Sequence, residues 1–181
     1  MTEVIQQLSR IVGMAGHIAD QLHSGSRVPF ETFDLVDEFD GFGLSVGHGA
    51  GLLYGNVTDV APDSWSLQFT AAVAFDVPSR PEIGMWVNEK NRTTAFGKYY
   101  YAVNRELGLH AVMWEMFAWS RLLNDFNGMH GQGVIQWLME IIRACLDASS
   151  QDADEFTRHF GGRILQPIEK DLMVLFTASS G

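Results

Sequence analysis

A chain of 181 residues is long enough for one globular domain with a short appendage. Hydrophobic residues make up 46% of it and aromatic residues 12%, so a sizeable core can be buried and global disorder is not expected. The formal net charge is −10, and the 12 lysines and arginines are scattered. Both facts argue against nucleic-acid binding, which needs clustered basic side chains. An acidic surface favours solubility and, if it selects partners at all, favours basic ones.

Cys145 is the only cysteine in the sequence. A single thiol excludes an internal disulfide framework and any metal site built from several thiolates. Because Cys145 falls within the apolar pattern of a helix, we interpret it as a small core residue and not as a nucleophile. The N-terminal residues do not have the pattern of a signal peptide, and no apolar run reaches the length of about 18 residues that a bilayer-spanning helix needs. We therefore expect a cytoplasmic location and no membrane partner.

The first predicted element is an amphipathic helix that begins near Thr2. Gly13 and Gly16 on its polar side lower its intrinsic stability, so packing against a sheet or against a second copy must hold it in place. Its apolar stripe recurs in steps of four and three residues, at Val4, Leu8, Ile11, Ala15, Ile18 and Leu22. An acidic connector follows over residues 27–41, and its part 31–40 has no assigned role. Phe33 and Leu35 could anchor it as an irregular or edge strand.

Three strands are predicted next. Residues 42–46 and 52–57 flank a glycine-rich turn, which indicates a hairpin. Residues 65–77 form a long strand, because their apolar side chains alternate and fall on one face.

The hydrophobic period changes twice within residues 81–119. Residues 81–92 open with a proline and end in polar residues, which predicts a short helix. Residues 95–103 and 109–119 are rich in aromatic and β-branched side chains and flank a polar turn that contains Gly108. This arrangement predicts a second hairpin.

Two further helices are predicted after this hairpin. Residues 133–148 repeat their apolar side chains at three and four, and a shorter helix with Ser149 and Asp152 as a capping box ends at Gly161. Residues 163–181 are predicted to be a C-terminal tail or a short extra helix.

The order of elements is α-βββ-α-ββ-α(α), which predicts a single α+β domain over residues 1–162. Its connections favour a five-stranded antiparallel sheet with helices packed mainly on one face. Both sides of the second hairpin are partly apolar, since Tyr99, Tyr101, Trp114 and Phe117 are distributed over them. Such strands call for a second covering layer or a partner, and we expect a homodimer.

The short helix and the hairpin after it resemble a known family. Residues 85–91 read Met-Trp-Val-Asn-Glu-Lys-Asn and are followed by Phe96-Gly97-Lys98 and the paired strands. This pattern is similar to the YbjN-like branch of the type III secretion chaperone-like fold, over roughly residues 1–160. The resemblance implies a non-enzymatic, often dimeric module with peptide-binding, chaperone-like or regulatory roles and no catalytic residues. The acidic connector and the tail after Gly162 depart from the compact family pattern.

One pattern matches a catalytic motif. Residues 43–47 match the G-x-S-x-G nucleophile elbow with Ser45 as nucleophile, but the helix that an elbow requires does not follow. The six histidines show no metal-binding spacing. Residues 37–41 resemble part of a calcium loop, but the first and twelfth positions of that loop would be Val36 and Gly47, which carry no chelating carboxylate. We expect no cofactor and no metal. A small serine hydrolase using Ser45 and a small-molecule sensor remain alternatives.

The aromatic residues of the helix and second hairpin are the candidate partner-binding residues. Most of them should belong to the core, but any that line a groove or a sheet edge could hold an amphipathic or extended peptide. They are Trp86, Tyr99, Tyr101, Trp114 and Trp119. The sequence therefore predicts a non-enzymatic protein-binding module that acts as a homodimer, without a nucleic-acid partner.

Overall fold

The structure, a computed structural model, describes Thr32–Asp34, Phe42–Val46, Gly51–Val57 and residues 65–119 and 132–165. Side chains are described for residues 68–117 and 136–165. The predicted helix near Thr2 and most of the predicted tail lie outside the described residues.

The described strands form one antiparallel sheet. In spatial order they run β1-β2-β3-β4-β6-β5, so β5 lies at one edge and the long β4 and β6 are neighbours. Their bounds are β1 Thr32–Asp34, β2 Phe42–Val46, β3 Gly51–Val57, β4 Trp65–Phe75, β5 Lys98–Asn104 and β6 Leu109–Trp119.

Three helices are described. Helix α1, Pro81–Thr93, connects β4 to β5, whereas α2, Gln132–Ser149, and α3, Gln151–Phe160, follow β6. Helix α1 begins with proline, and Lys90 and Arg92 in its last turn complement the negative end of the helix dipole. None of these helices combines the length and apolarity needed to cross a membrane.

The predicted five-stranded sheet is wrong. The part of the sheet with described side chains has three antiparallel strands, β4, β6 and β5, and β1–β3 extend the sheet to six. The prediction left β1 uncounted because Thr32–Asp34 lies in the acidic connector and is too short to show a period of two. The short helix and the second hairpin are confirmed by α1 and by the pairing of β5 with β6.

The main hydrophobic core lies between the helices and one face of the sheet. Burying a large apolar side chain contributes about 1.5–3 kcal/mol, so this core holds the helices on the sheet. Its buried members include Phe69, Ala71, Val73, Val112, Trp114, Leu138, Ile141, Cys145 and Phe156. Cys145 is confirmed as a core residue, and burial raises the pKa of its thiol to about 12.

A β-bulge in β4 places two consecutive side chains on the same face of the sheet. The pairing with β6 shifts between Ala72 and Ala74, so Val73 and Ala74 both belong to the helix-side core opposite Val112. Beyond the bulge Phe75 pairs with Ala111.

The second face of the central strands is also buried within one chain. Ala72, Phe75, Ala111 and Met113 are at most 1% exposed, although they do not belong to the helix-side core. A second copy is therefore not needed to cover these four side chains. Phe117, near the end of β6, is 48% exposed.

The chain returns to the sheet after α3. Phe75 and Arg163 exchange two backbone hydrogen bonds, each of 2.8 Å. The Arg163 Nε also donates to Asp76 Oδ2 at 2.6 Å. Leu165, two residues further on, is fully buried.

Gly97 gives Trp114 the space that it occupies. A Cβ at Gly97 would lie 2.4 Å from Cε2 of the indole, and Gly97 has a φ of +73°. The indole cannot move away easily, because Trp114 is fully buried and its Nε1 donates to the Phe96 carbonyl at 3.2 Å.

We expect Gly97→Ala to lower the free energy of unfolding by about 2–4 kcal/mol, because it adds overpacking to the strain of a left-handed backbone. Gly108→Ala is the matched control: Gly108 has a φ of +63° but nothing within 4 Å of an added Cβ. That variant should show the backbone strain alone, about 1–2 kcal/mol. Chemical denaturation measures both values, and equal losses would contradict the close packing of Trp114 on Gly97.

Candidate functional site

The five predicted partner-binding residues occupy different environments. Trp114 is fully buried and Tyr99 is 5% exposed, so both belong to the core. Trp86 and Tyr101 are partly exposed and pack against that core. Trp119 pairs with Ser66 at the end of β6, and its side chain lies outside the described set. Of the five, Trp86 and Tyr101 provide described aromatic surface.

A polar network joins α1, α3 and β5. The Lys90 Nζ lies 2.6 Å from Asp152 Oδ1 and 3.1 Å from Glu155 Oε2. The Tyr99 hydroxyl donates to the other carboxylate oxygen of Asp152. Asp152 thereby ties the strand to both helices.

The predicted capping box of Ser149 and Asp152 is wrong, because both side chains bond elsewhere. Helix α3 has Ser150 at its N-cap, with no side-chain hydrogen bond to the cap. Ser149 donates instead to the Leu146 carbonyl. The Asp152 carboxylate is held by Lys90 and Tyr99, two strong donors that the local sequence does not reveal.

Trp86 fills the apolar side of this junction. Its ring meets Tyr99 and Phe156 edge-to-face, at centroid distances of 5.5 Å and 5.0 Å. The Lys90 Nζ lies 5.2 Å from the Trp86 ring centroid, within reach of a cation–π contact. Edge-to-face pairs add about 0.5–1.5 kcal/mol beyond area burial. The main role of Trp86 is therefore to pack against Tyr99 and Phe156.

The electrostatics of the network favour a structural role. Burial alone would lower the pKa of Lys90, but hydrogen bonds to Asp152 and Glu155 outweigh it and raise that pKa. The hydrogen bond from Lys90 lowers the pKa of Glu155. Burial, followed by the hydrogen bond to Asp152, raises the pKa of Tyr99 far above its usual value. A tyrosine shifted in this direction stays neutral, so the network does not activate it as a base or nucleophile.

Asn91 pairs with the outer side of β5 at one residue. Its Nδ2 donates to the Tyr99 carbonyl at 2.8 Å, and its Oδ1 accepts from the Tyr99 N–H at 2.7 Å. The side-chain amide thus takes the place of one residue of a neighbouring strand. These bonds also show that the backbone groups of Tyr99 point away from β6.

Tyr101 and Val103 direct their backbone groups the same way, because the direction alternates along a strand. An independent contact agrees: the carbonyl of His110, opposite Val103 on β6, accepts from the Val77 N–H at 3.1 Å. The backbone carbonyl of His110 therefore points towards the β4 side and not towards β5. Among the described strands none lies on the outer side of β5, and the Val103 side chain is 45% exposed. We call the outward backbone groups of Tyr101 and Val103 the open edge.

The side chains around the open edge are fixed by their own hairpin. The Tyr101 hydroxyl shares a hydrogen bond with His110 Nδ1, and the two rings are 5.8 Å apart. In the turn, the Leu107 N–H donates to Asn104 Oδ1 at 3.0 Å. The open edge is therefore carried by an ordered strand that need not fold on binding.

Ser45 does not lie in a nucleophile elbow. It lies within β2 and pairs with Leu52 of β3, whereas an elbow places the serine at a tight turn between a strand and a helix. Within the described ranges no three His, Cys, Asp or Glu side chains gather as they would around a metal ion.

Sequence reasoning missed Asn91 and Val103 as site residues. Asn91 has the appearance of an ordinary polar residue near the end of a helix, and its contact with Tyr99 depends on how α1 lies over β5. The position of Val103 at an edge follows from the strand order, which no local pattern shows. The one available signal was the pair Asn88 and Asn91 before an aromatic strand.

No protein-family model, no curated protein and no solved structure matches this chain. The assignment of the site therefore rests on its geometry.

We expect Tyr99→Phe to lower the free energy of unfolding by about 1.5–3 kcal/mol, the usual cost of a hydrogen bond to a charged group. The loss should depend on pH. Since the folded-state pKa values of Tyr99 and Lys90 are raised, their contributions are complete below about pH 10 and decline as pH rises through the folded values. Thermal unfolding from pH 8 to 12 should show a shallower decline for Tyr99→Phe than for the wild type. Parallel profiles would contradict the link between Tyr99 and Asp152.

We expect Asn91→Ala to cost about 1–3 kcal/mol, because two hydrogen bonds to Tyr99 are lost. Asn88→Ala is the matched control, since Asn88 is exposed on the same helix. Hydrogen exchange adds a specific readout: the amide of Tyr99 should lose protection in Asn91→Ala and keep it in Asn88→Ala. Unchanged exchange at Tyr99 in both variants would refute the pairing.

Proposed function

We propose that this chain is a non-enzymatic protein-interaction module that binds an extended polypeptide segment along the open edge of β5. The observation that carries the proposal is that the backbone groups of Tyr101 and Val103 face outward from an ordered edge strand. Strand addition uses main-chain hydrogen bonds for affinity and alternate side chains for specificity.

The outer edge of β5 is protected against strand pairing over only part of its length. Natural sheets protect their edges with charged side chains, bulges or covering segments. Here the Asn91 side chain pairs with the backbone of Tyr99, and the exposed Lys98 precedes Tyr99, so one end of β5 is protected. The protection stops at Tyr101, where the strand still runs for several residues. An edge that is closed at one end and open at the other favours one defined register for an added strand.

Backbone pairing alone gives modest affinity. Two outward residues offer four hydrogen bonds, and each contributes a net of about 0.5–1.5 kcal/mol. Association itself costs several kcal/mol, so apolar contacts must add to the pairing. The exposed side chains of Val103 and Leu107, at 45% and 46%, are available for such contacts.

The resemblance to the YbjN-like branch agrees with a binding role, and chaperone-like or regulatory activity would be a use of the same edge. A hydrolase acting through Ser45 gains no support from the position of that residue within β2. We also propose a cytoplasmic location, since the single thiol, Cys145, is buried and unpaired.

The test selects peptides that bind the wild type from a display library and measures their affinity for Val103→Pro. Proline removes the outward N–H of Val103, which β6 does not use, so the fold should be retained. We expect binding to weaken at least about tenfold, whereas Val103→Ala, which keeps the N–H, should lose less. Circular dichroism checks the fold of both variants.

Hydrogen exchange on the wild-type protein provides a second readout that needs no substitution. The amides of Tyr101 and Val103 should gain protection when a selected peptide binds. Peptides that bind without protecting either amide, and with equal affinity for Val103→Pro, would place the binding surface elsewhere and overturn the proposal.

A further inference from the structure

The geometry points to a second copy of this chain as the occupant of the open edge, with two β5 strands antiparallel about a twofold axis at Ala102. This inference rests on the proposed function and names its partner. The sequence already predicts a homodimer, but it gives neither the interface nor the register.

Asn91 determines the register. Because it occupies Tyr99, the outward groups that remain on β5 belong to Tyr101 and Val103, which lie symmetrically on either side of Ala102. A twofold axis at Ala102 pairs Tyr101 with Val103 of the partner subunit, and the reverse, through four hydrogen bonds. An axis moved towards Tyr99 would collide with Asn91. An axis moved the other way would need strand pairing from the turn that follows Asn104.

The side chains fit this arrangement. Ala102 would meet its own symmetry mate as a non-hydrogen-bonded pair, with Cα atoms about 4.5 Å apart, a position where a small side chain fits well. Tyr101 would lie beside the partner subunit's Val103 on the helix side of the sheet. Pairs of an aromatic and a β-branched residue are favourable across antiparallel strands. The pairing would also cover the Val103 side chain.

Local charge supports self-association although the whole chain carries −10. Lys98 lies at the start of β5 and Glu106 lies in the turn after it, and both are exposed. The twofold arrangement places the Lys98 end of each β5 near the turn that carries Glu106 of the partner subunit. Opposite charges at the rim of an interface contribute mainly to orientation and register.

The first test is disulfide trapping with Ala102→Cys under mild oxidation. A Cα separation of about 4.5 Å lies within the range that a disulfide spans, so a covalent dimer should form rapidly. Glu106→Cys is the control: its thiol is exposed in the turn beyond β5, so its symmetry mate lies at the opposite end of the pairing, roughly 25 Å away. The wild type should not crosslink, because Cys145 is buried. Equal crosslinking of Ala102→Cys and Glu106→Cys would indicate random collision and overturn the register.

The second test exchanges the rim charges and measures dimer dissociation by analytical ultracentrifugation. Lys98→Glu and Glu106→Lys should each raise the dissociation constant about threefold to tenfold, and the double variant should restore it to about the wild-type value. Failure of the double variant to recover would show that the two side chains do not meet.

The outcomes separate this inference from the proposed function. A strict monomer whose open edge still binds selected peptides would overturn the second copy and leave the proposed function standing. A strict monomer that binds no extended peptide would overturn both. A dimer that Val103→Pro leaves intact would place the interface on another surface and overturn the inference.

Discussion

The carboxylate of Asp152 is the polar contact on which the arrangement of α1, α3 and the edge strand depends. It accepts from Lys90 of α1 and from Tyr99 of β5, and it belongs to α3. Helix α3 is thereby joined to the consecutive elements α1 and β5 at one point, with the Trp86 ring packed beside them. This contact adds to the core packing that holds α1 over β5, where Asn91 reaches the Tyr99 backbone. The internal network and the open edge are therefore linked through α1.

Asn91 performs two tasks that are usually separate. It satisfies the backbone of Tyr99, which limits indiscriminate pairing at the sheet edge. In the proposed strand addition, it would also set where an incoming strand begins. Protection of the edge and selection of a register would then come from one side-chain amide.

Much of the local structure could be predicted from the sequence, because the change of hydrophobic period over residues 81–119 is strong. Helix α1 and the β5–β6 hairpin follow from it. The five-stranded sheet failed at Thr32–Asp34, where three residues in an acidic segment give no periodic signal. The capping box failed because Lys90 competes for Asp152 from another helix. The edge position of β5 depends on long-range pairing of β4 with β6, which no local pattern contains.

The return of the chain to the sheet after α3 also defines where the folded unit can be cut. Phe75 and Arg163 satisfy each other's backbone groups at the far end of β4, and the fully buried Leu165 follows. Truncation after Gly162 would leave the amide and carbonyl of Phe75 without these bonds beside a buried aromatic ring. Fragments prepared for biophysical work should therefore retain Arg163–Leu165, so that any self-association they show is not caused by backbone groups that lost their partners at the cut.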